Sequence, residues 1–518
     1  MGADAISFVE TPEEIAEFMV SLISISISKA GGKEGKDARI LDAGCGKGVF
    51  LNCLKKKGFK GVSGVELYEP FYEFCKSKFP EFEIIHADFL RFNPNPERKY
   101  DVIIANPPYA HYNSLPAEIR REVASTVGSK ESDIYYAFVI KAVKLLAEGG
   151  EMVFITPYGF TYNTFARRVR SYLSGGGGGG IEVFVDLDEA NLFKGEHPET
   201  VIFKFRKGVP PQKMRVLRLK SRKVAKNEIK FYGTKALKER KGNACFEYFE
   251  REPFSSSEET WSSFPAFSFG FGRSVKLKKI AEVCVGFVTG FERAFLVEER
   301  ELEAFTEEER RLVKRFVKAK NCRGYWTEGT VNYVFTADIK SEEELLGLPN
   351  VAERLLKYRA ELEKRYLPRG RKWFQWQAVR NRRTVEANLG SPKIFVPTLD
   401  RSKTSRFCLT YEPVYPCGDT LLVIPRKGLE FFVLGYLNSR LFREFYLSNG
   451  GRRGGRVAFT QRLVSEADVP LFSDETTRKI SSLARAIYEN RDLGCYKEKL
   501  EAGVQEAVKG SYTGNQAF

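Results

Sequence analysis

The sequence predicts a doubly wound α/β domain over residues 1–207 followed, after a connecting segment at 208–273, by an α+β domain over residues 274–518. Three observations carry that reading. Short β-rich runs alternate with helical patterns as far as residue 207, the first run ends in a glycine-rich turn, and the alternation breaks after Arg206, where a strongly basic stretch begins. Strands that alternate with helices build a largely parallel sheet, whose ligands sit outside the carboxyl ends of the strands.

In chain order the strand candidates are "ARILDAGCG" (38–46), "GVSGVEL" (61–67), "FEIIHADF" (82–89), "YDVIIANPP" (100–108), "GEMVFITP" (150–157), "IEVFVDL" (181–187) and "ETVIFKFRK" (199–207). Between them, "FYEFCKSKF" and "YYAFVIKAVKLLAEGG" space apolar residues as helices do, and the second ends in glycines, as helices commonly stop. The run at 175–180 is the one low-complexity feature and reads as a flexible surface loop, because ordering glycine carries a large entropic cost. "FSSSEETWSSFPAFSFG" (254–270) reads as connecting structure. Beyond Val275, short strands such as "VCVGFVTGFERAFLV" and "KIFVPTL" mix with helical stretches such as "FFVLGYLNSRLFREFYL".

Composition narrows the classes. A chain of 518 residues is long enough for more than one core-bearing domain. No window carries the roughly 18 uninterrupted apolar residues that a spanning helix needs, and the acidic start "MGADAISFVETPEEIAEFMV" does not read as a secretion signal, so a cytoplasmic protein without membrane contact is expected. Nine scattered cysteines without a CxxC pair, and three histidines, predict reduced thiols and no metal site. The net charge of +16 favours a polyanionic partner, and Arg206 to Lys241 alone holds fourteen Lys or Arg against Glu228 and Glu239. A solvated basic face is the plain alternative for such a run.

The chemistry lies at the strand ends. In "ILDAGCGKGVFL" the glycines 44, 46 and 48 form a strand-to-helix turn that lets a ligand approach backbone amides, an arrangement shared by dinucleotide, nucleotide and S-adenosylmethionine sites. Asp42 closes that strand. Glu66 closes the next and suits two ribose hydroxyls, while Asp88 and Phe89, after the third, suit an adenine amine and ring. The fourth strand ends in Asn106-Pro107-Pro108-Tyr109. Prolines stop the strand and stiffen the backbone, so the Asn106 carboxamide oxygen and the Pro107 carbonyl can together accept both hydrogens of one NH2 group while Tyr109 offers a stacking face. A Pro-Pro turn that only terminates a strand is the structural alternative.

The order of "FVETPEEIAEFMVSLI", "ILDAGCGKGVF", "GVEL", "HADFL", "NPPY", "SDIYYAFVIKAVKLL", "GGEMVFITP" and "NLFKGEHPETVIFKF" resembles the γ-class N6-adenine-specific DNA methyltransferases of restriction-modification systems, over residues 7–207. The resemblance implies a Rossmann-like, S-adenosylmethionine-dependent catalytic domain and a DNA target-recognition domain. It implies that Thr11 and the backbone at Ala43, Gly44 and Gly46 hold the methionine end of the cofactor with Asp42 beside its amino group, that Glu66 holds the ribose, and that Asp88 and Phe89 hold the adenine. Asn106, Pro107 and Tyr109 would be catalytic, with Tyr109 and Phe193 stacking on a flipped-out adenine. It further implies double-stranded DNA as substrate, and a monomer acting beside a separately encoded endonuclease, since no nuclease motif is evident.

Arginines interleaved with aromatics or glycines in "RGRKWFQWQAVRNRR" and "GGRRGGRVAFTQR" make Arg371, Arg380, Arg382, Arg383, Arg452, Arg453 and Arg456 candidate DNA contacts, while Trp373 and Trp376 read as core or interface residues. Competing readings are a methyltransferase for RNA or a protein glutamine, whose planar NH2 fits the same corner, a non-catalytic DNA-binding specificity subunit, and a fused restriction-modification enzyme.

Overall fold

The computed structural model describes residues 9–24, 38–95, 97–129, 132–188, 190–193, 199–208, 210–255, 257, 260–265, 274–402, 404–449, 451–453, 456–491 and 494–513, the side chains of 452–453 and 507–513 excepted. The chain divides into two compact units, Met1–Ala266 and Phe267–Phe518.

All seven expected strands of the first unit form: β1 (Ile40–Ala43), β2 (Val62–Glu66), β3 (Glu83–His86), β4 (Tyr100–Ala105), β5 (Leu146–Pro157), β6 (Gly179–Asp188) and β7 (Thr200–Lys207). With β8 (Met214–Leu219) and β9 (Phe246–Arg251) they make a nine-stranded sheet in the order β3-β2-β1-β4-β5-β7-β6-β8-β9. From β3 to β5 every pairing is parallel, while β7 runs antiparallel to both β5 and β6. The order of the strands reverses at β1, which has β2 on one side and β4 on the other, and such a switch point leaves a crevice at the carboxyl edge.

Both faces of the sheet are covered, which is why its central strands read as unbroken apolar runs. Alternate side chains go to opposite faces. Leu41, Ala43, Ile103 and Ala105 join one buried cluster with α5 (Ile134–Leu145), whereas Ile40, Val102 and Ile104 join another with α1 (Glu13–Ser21) and α2 (Val49–Lys56). The helices α3 (Glu69–Lys78), α4 (Ala117–Val127) and α6 (Arg167–Ser171) complete the layers. A charged network sits inside the sheet: the fully buried Lys204 lies 3.1 Å from Glu151 and 3.2 Å from Glu182, and Arg206 bridges the same two carboxylates at 2.5 Å each. Charges removed from water persist only when paired in this way.

Two expectations change. Residues 208–273 are not simply a connector, since β8, α7 (Lys226–Glu239) and β9 extend the catalytic sheet, and α7 packs on α1 so closely that a Cβ at Gly233 would meet Phe18 at 2.9 Å. The sequence masked this because basic residues occupy the solvent side of the strand and helix, leaving the alternate apolar residues Met214, Val216, Leu217, Ile229 and Ala236 to be buried. The glycine run is only partly a loop: residues 175–178 make the exposed turn out of the preceding helix, whereas Gly179 and Gly180 are buried and begin β6, where a Cβ at Gly179 would meet the Arg206 carbonyl at 2.0 Å. These glycines allow a close approach of backbones.

The second unit is α+β, as expected. Its five-stranded sheet comprises Ala281–Val285, Thr420–Pro425, Lys393–Pro397, Cys408–Thr410 and Tyr325–Trp326, in that spatial order, and the helices Glu430–Leu437, Asp474–Asn490 and Cys495–Thr513 lie among its elements. Trp376 is fully buried, stacks 5.0 Å from Phe316 and donates from its indole to the Val334 carbonyl at 2.8 Å, so it is a core residue. Among the described residues no helix is long and apolar enough to cross a membrane, and no cluster of side chains could hold a metal ion.

Candidate active site

A cavity of about 390 Å³ opens at the carboxyl edge of β1, β2 and β4, where the chain order reverses. Its lining brings together Thr11, Gly44, Gly46, Glu66, Asp88, Phe89, Asn106 and Pro107, residues that the sequence spreads over nearly a hundred positions. The glycines are required by conformation. Gly44, Gly46 and Gly48 have φ of +89°, +53° and +77°, a region costly for side-chain-bearing residues, and the turn they make places α2 directly behind the cavity.

Glu66 ties two walls together. One carboxylate oxygen accepts from the Gly46 amide at 2.7 Å and the other from the Tyr68 amide at 2.8 Å, so the acid is fixed and each oxygen still has a lone pair to offer. Asp88 is fixed in the same manner by the Leu90 amide at 2.9 Å. Phe89 packs 4.9 Å from Phe138, and a Cβ at Gly44 would come within 3.8 Å of the same Phe138 ring. Phe138, Ile134 and Phe71 also line the cavity and were not singled out from the sequence, where their apolar spacing signalled only helix cores.

Asp42 and Ala43 are buried in β1 and do not line the cavity. Both Asp42 carboxylate oxygens lack partners, and its pKa is held well above the ordinary aspartate value by burial, then by the neighbouring Cys75 and Glu66. A buried acid without a partner holds its proton, because nothing nearby stabilises the charged form.

The Asn106 corner has one clear polarity. Its amide nitrogen donates to the Val9 carbonyl at 3.0 Å and to the Thr11 hydroxyl at 2.9 Å, which uses both hydrogens, while its oxygen is buried with no partner. The corner is therefore left with an unsatisfied acceptor. Tyr109 follows at the end of the rigid Pro-Pro step, its hydroxyl 3.3 Å from the Ile155 carbonyl and its pKa pushed up by burial. Phe193 meets Tyr109 edge to face at 6.2 Å, so the two expected stacking residues are neighbours, although Phe193 is buried at 3% exposure and neither lines the cavity.

The candidate DNA contacts of the second unit differ in availability. Arg380 and Arg383 are exposed and Arg371 is half-exposed. Arg382 is committed to the fold: it grips Asp338 at 2.5 and 2.7 Å, pairs with Glu386 at 2.8 Å and lies over the Phe335 ring at 5.0 Å. Arg456 is half-buried with its Nε unpartnered, on a strand paired with Arg452 and Arg453, whose side chains lie outside the described residues.

S-adenosylmethionine fits this cavity by the chemistry of its donors. The fixed carboxylates of Glu66 and Asp88 can accept from hydroxyl or amine groups, Phe89 and Phe138 give the lining an aromatic face, and the glycine turn brings backbone to the cavity wall, donors and surfaces that a nucleoside-bearing cofactor can use. Thr11 lines the cavity as expected and has a second contact, its hydroxyl oxygen accepting from the Asn106 amide at 2.9 Å.

The Eco57I restriction-modification methylase family matches residues 53–193, the span from α2 through the Asn-Pro-Pro-Tyr turn to Phe193. The type II methyltransferase M.MjaIV of Methanocaldococcus jannaschii is 44% identical over 245 residues, which are 47% of this chain and 82% of that one. M.HindII of Haemophilus influenzae, another type II methyltransferase, is 25% identical over 522 residues, covering 94% of this chain and 95% of its own. In structure the chain is similar to the type IIL restriction-modification enzyme MmeI, solved in complex with DNA, with a TM-score of 0.66 over 93% of this chain and 71% of that chain at 14% identity, a likeness of fold. A cofactor cavity at the switch point, an amide acceptor on a Pro-Pro corner and close identity along most of one relative agree: the chain belongs to the type II methyltransferases of restriction-modification systems.

Proposed function

We propose that the enzyme methylates the exocyclic N6 of adenine in double-stranded DNA, at a specific site, as the modification partner of a separately encoded endonuclease. The observation that carries this reading is the Asn106 oxygen, a buried acceptor without a partner at the rim of a cavity suited to S-adenosylmethionine. That cofactor supplies an electrophilic methyl group on a sulfonium. Everything else falls to the chain.

An adenine amine is a weak nucleophile because its lone pair is delocalised into the ring. When the Asn106 oxygen and the Pro107 carbonyl accept its two hydrogens, the nitrogen is drawn toward tetrahedral geometry and its electron density becomes available. Positive charge grows on that nitrogen as it bonds to the methyl carbon and the carbon–sulfur bond breaks to leave a neutral thioether; acceptors already fixed in the site stabilise that charge without reorganisation, the effect that usually gives the largest share of an enzyme's acceleration, and one N6 proton then passes to solvent. Tyr109, with Phe193 at its edge, supplies the aromatic slot for the ring. A base inside a duplex cannot reach this corner, so it must be extruded at roughly a few kcal/mol, offset by that slot and by phosphate contacts. Exposed Arg380 and Arg383 in the second unit, and the basic surface of β8 and α7 in the first, are the cations proposed for those contacts. The chain is proposed to act as a monomer.

The test is incubation with radiolabelled S-adenosylmethionine and genomic DNA from a methylation-free source, followed by sequencing for N6-methyladenine. Label confined to one sequence context at adenine is the expected result. Label entering only RNA or protein glutamine would overturn the substrate assignment, and DNA binding without cofactor binding would overturn catalysis.

A further inference from the structure

We infer that Thr11 is a positioning residue for methyl transfer: with the Val9 carbonyl, it holds the Asn106 carboxamide so that oxygen, not nitrogen, faces the substrate amine. The inference rests on the adenine-amine reading and deepens it. A carboxamide's last torsion is broad and two-fold, so oxygen and nitrogen would exchange places readily if nothing distinguished their surroundings. Here the surroundings do. The Val9 carbonyl, at 3.0 Å, can only accept, and the Thr11 hydroxyl oxygen accepts at 2.9 Å, so together they satisfy both hydrogens of the nitrogen. Turning the amide over would press two carbonyl oxygens together and present an NH2 group to another NH2 group. A donor at that place repels the amine's hydrogens and cannot activate it.

The chain positions make the device specific. Thr11 and Val9 precede Asn106 by 95 and 97 residues, and they arrive from the segment leading into α1, which starts after Pro12. Thr11 is only 5% exposed, so water does not compete for its hydroxyl. Because Val9 and Thr11 also line the cavity, the segment that walls the cofactor site also sets the polarity of the catalytic amide. The motif "VETPxE" thereby acquires a task in the chemical step beyond enclosing the cofactor.

The experiment compares Thr11→Val, which keeps the volume and removes the acceptor, with Thr11→Ser, which keeps the hydroxyl. Single-turnover transfer to DNA is measured at saturating cofactor and DNA, and cofactor Kd is measured by calorimetry. Thr11→Val is expected to lower the transfer rate roughly tenfold, the order given by one neutral hydrogen bond, with cofactor Kd within about twofold of wild type. Thr11→Ser is expected to restore most of the rate. A wild-type rate in Thr11→Val, a loss confined to cofactor Kd, or an equal loss in both variants would overturn the inference. A wild-type enzyme that methylates something other than DNA adenine would instead overturn the substrate reading, and the same comparison on its true acceptor would still decide the role of Thr11.

Discussion

Replacing Asn106 by alanine separates the catalytic use of this side chain from its structural use, because the structure sets the two magnitudes far apart. The substitution removes two hydrogen bonds, at 3.0 and 2.9 Å, each worth about 1 kcal/mol net. It also removes a buried oxygen that has no partner, whose burial costs about 1–3 kcal/mol. These contributions nearly cancel, but the Val9 carbonyl and the buried Thr11 hydroxyl lose their donor, so the folded state should lose about 1–2 kcal/mol, or about 2–8 °C in Tm for a unit of this size. Transfer should behave differently, since removing one preorganised partner of the developing charge lowers kcat by roughly a hundred- to a thousandfold. The assays are differential scanning calorimetry, cofactor calorimetry and single-turnover transfer to DNA. A rate within tenfold of wild type, or a loss explained by weakened cofactor binding, would refute the assignment of Asn106 to the chemical step.

Three further outcomes are expected. Asp42→Asn tests the unpaired acid: its raised pKa means the folded state holds the proton more tightly than the unfolded one, so stability is full below about pH 4 and is lost as pH rises through the raised value. The apo wild type should therefore lose Tm relative to Asp42→Asn on going from acid to neutral pH, while the variant binds S-adenosylmethionine more weakly; parallel Tm profiles would contradict this. Arg382→Ala should destabilise the protein modestly, by about 1 kcal/mol given the partial exposure of its ion pairs, and leave DNA affinity nearly unchanged, whereas Arg383→Ala should weaken DNA binding and flatten its salt dependence with no change in Tm. Gly233→Ala, which in an open helix would stabilise by about 1 kcal/mol, should destabilise here because the new methyl meets Phe18 at 2.9 Å; a raised Tm by calorimetry would show that α1 and α7 yield easily.

The strand-end residues were legible in the sequence because their chemistry and their place coincide. Glu66, Asp88 and Asn106 each follow a short apolar run, and in a doubly wound sheet the ends of such runs meet at one edge, so reading the runs also gathered the residues. The arginines of the second unit were less legible. Arg380, Arg382 and Arg383 look alike in the sequence, yet Asp338, more than forty residues away, occupies one of them and leaves the others exposed. Charge is a property of the residue, whereas availability depends on neighbours that only folding supplies.

By itself, then, the sequence determined the alternation of strands and helices, the glycine turn, the acid at each strand end and the rigid Asn-Pro-Pro-Tyr corner, since hydrophobic period, positive φ and proline geometry act within a few residues. Tertiary structure alone decided that residues 214–251 continue the sheet, that the glycine run lets backbones touch at β6, and that Thr11 turns the Asn106 amide. The physical reason is common to all three. A hydrogen bond or a close approach between segments far apart in sequence has no local signal, because its partner is fixed only when the layers pack.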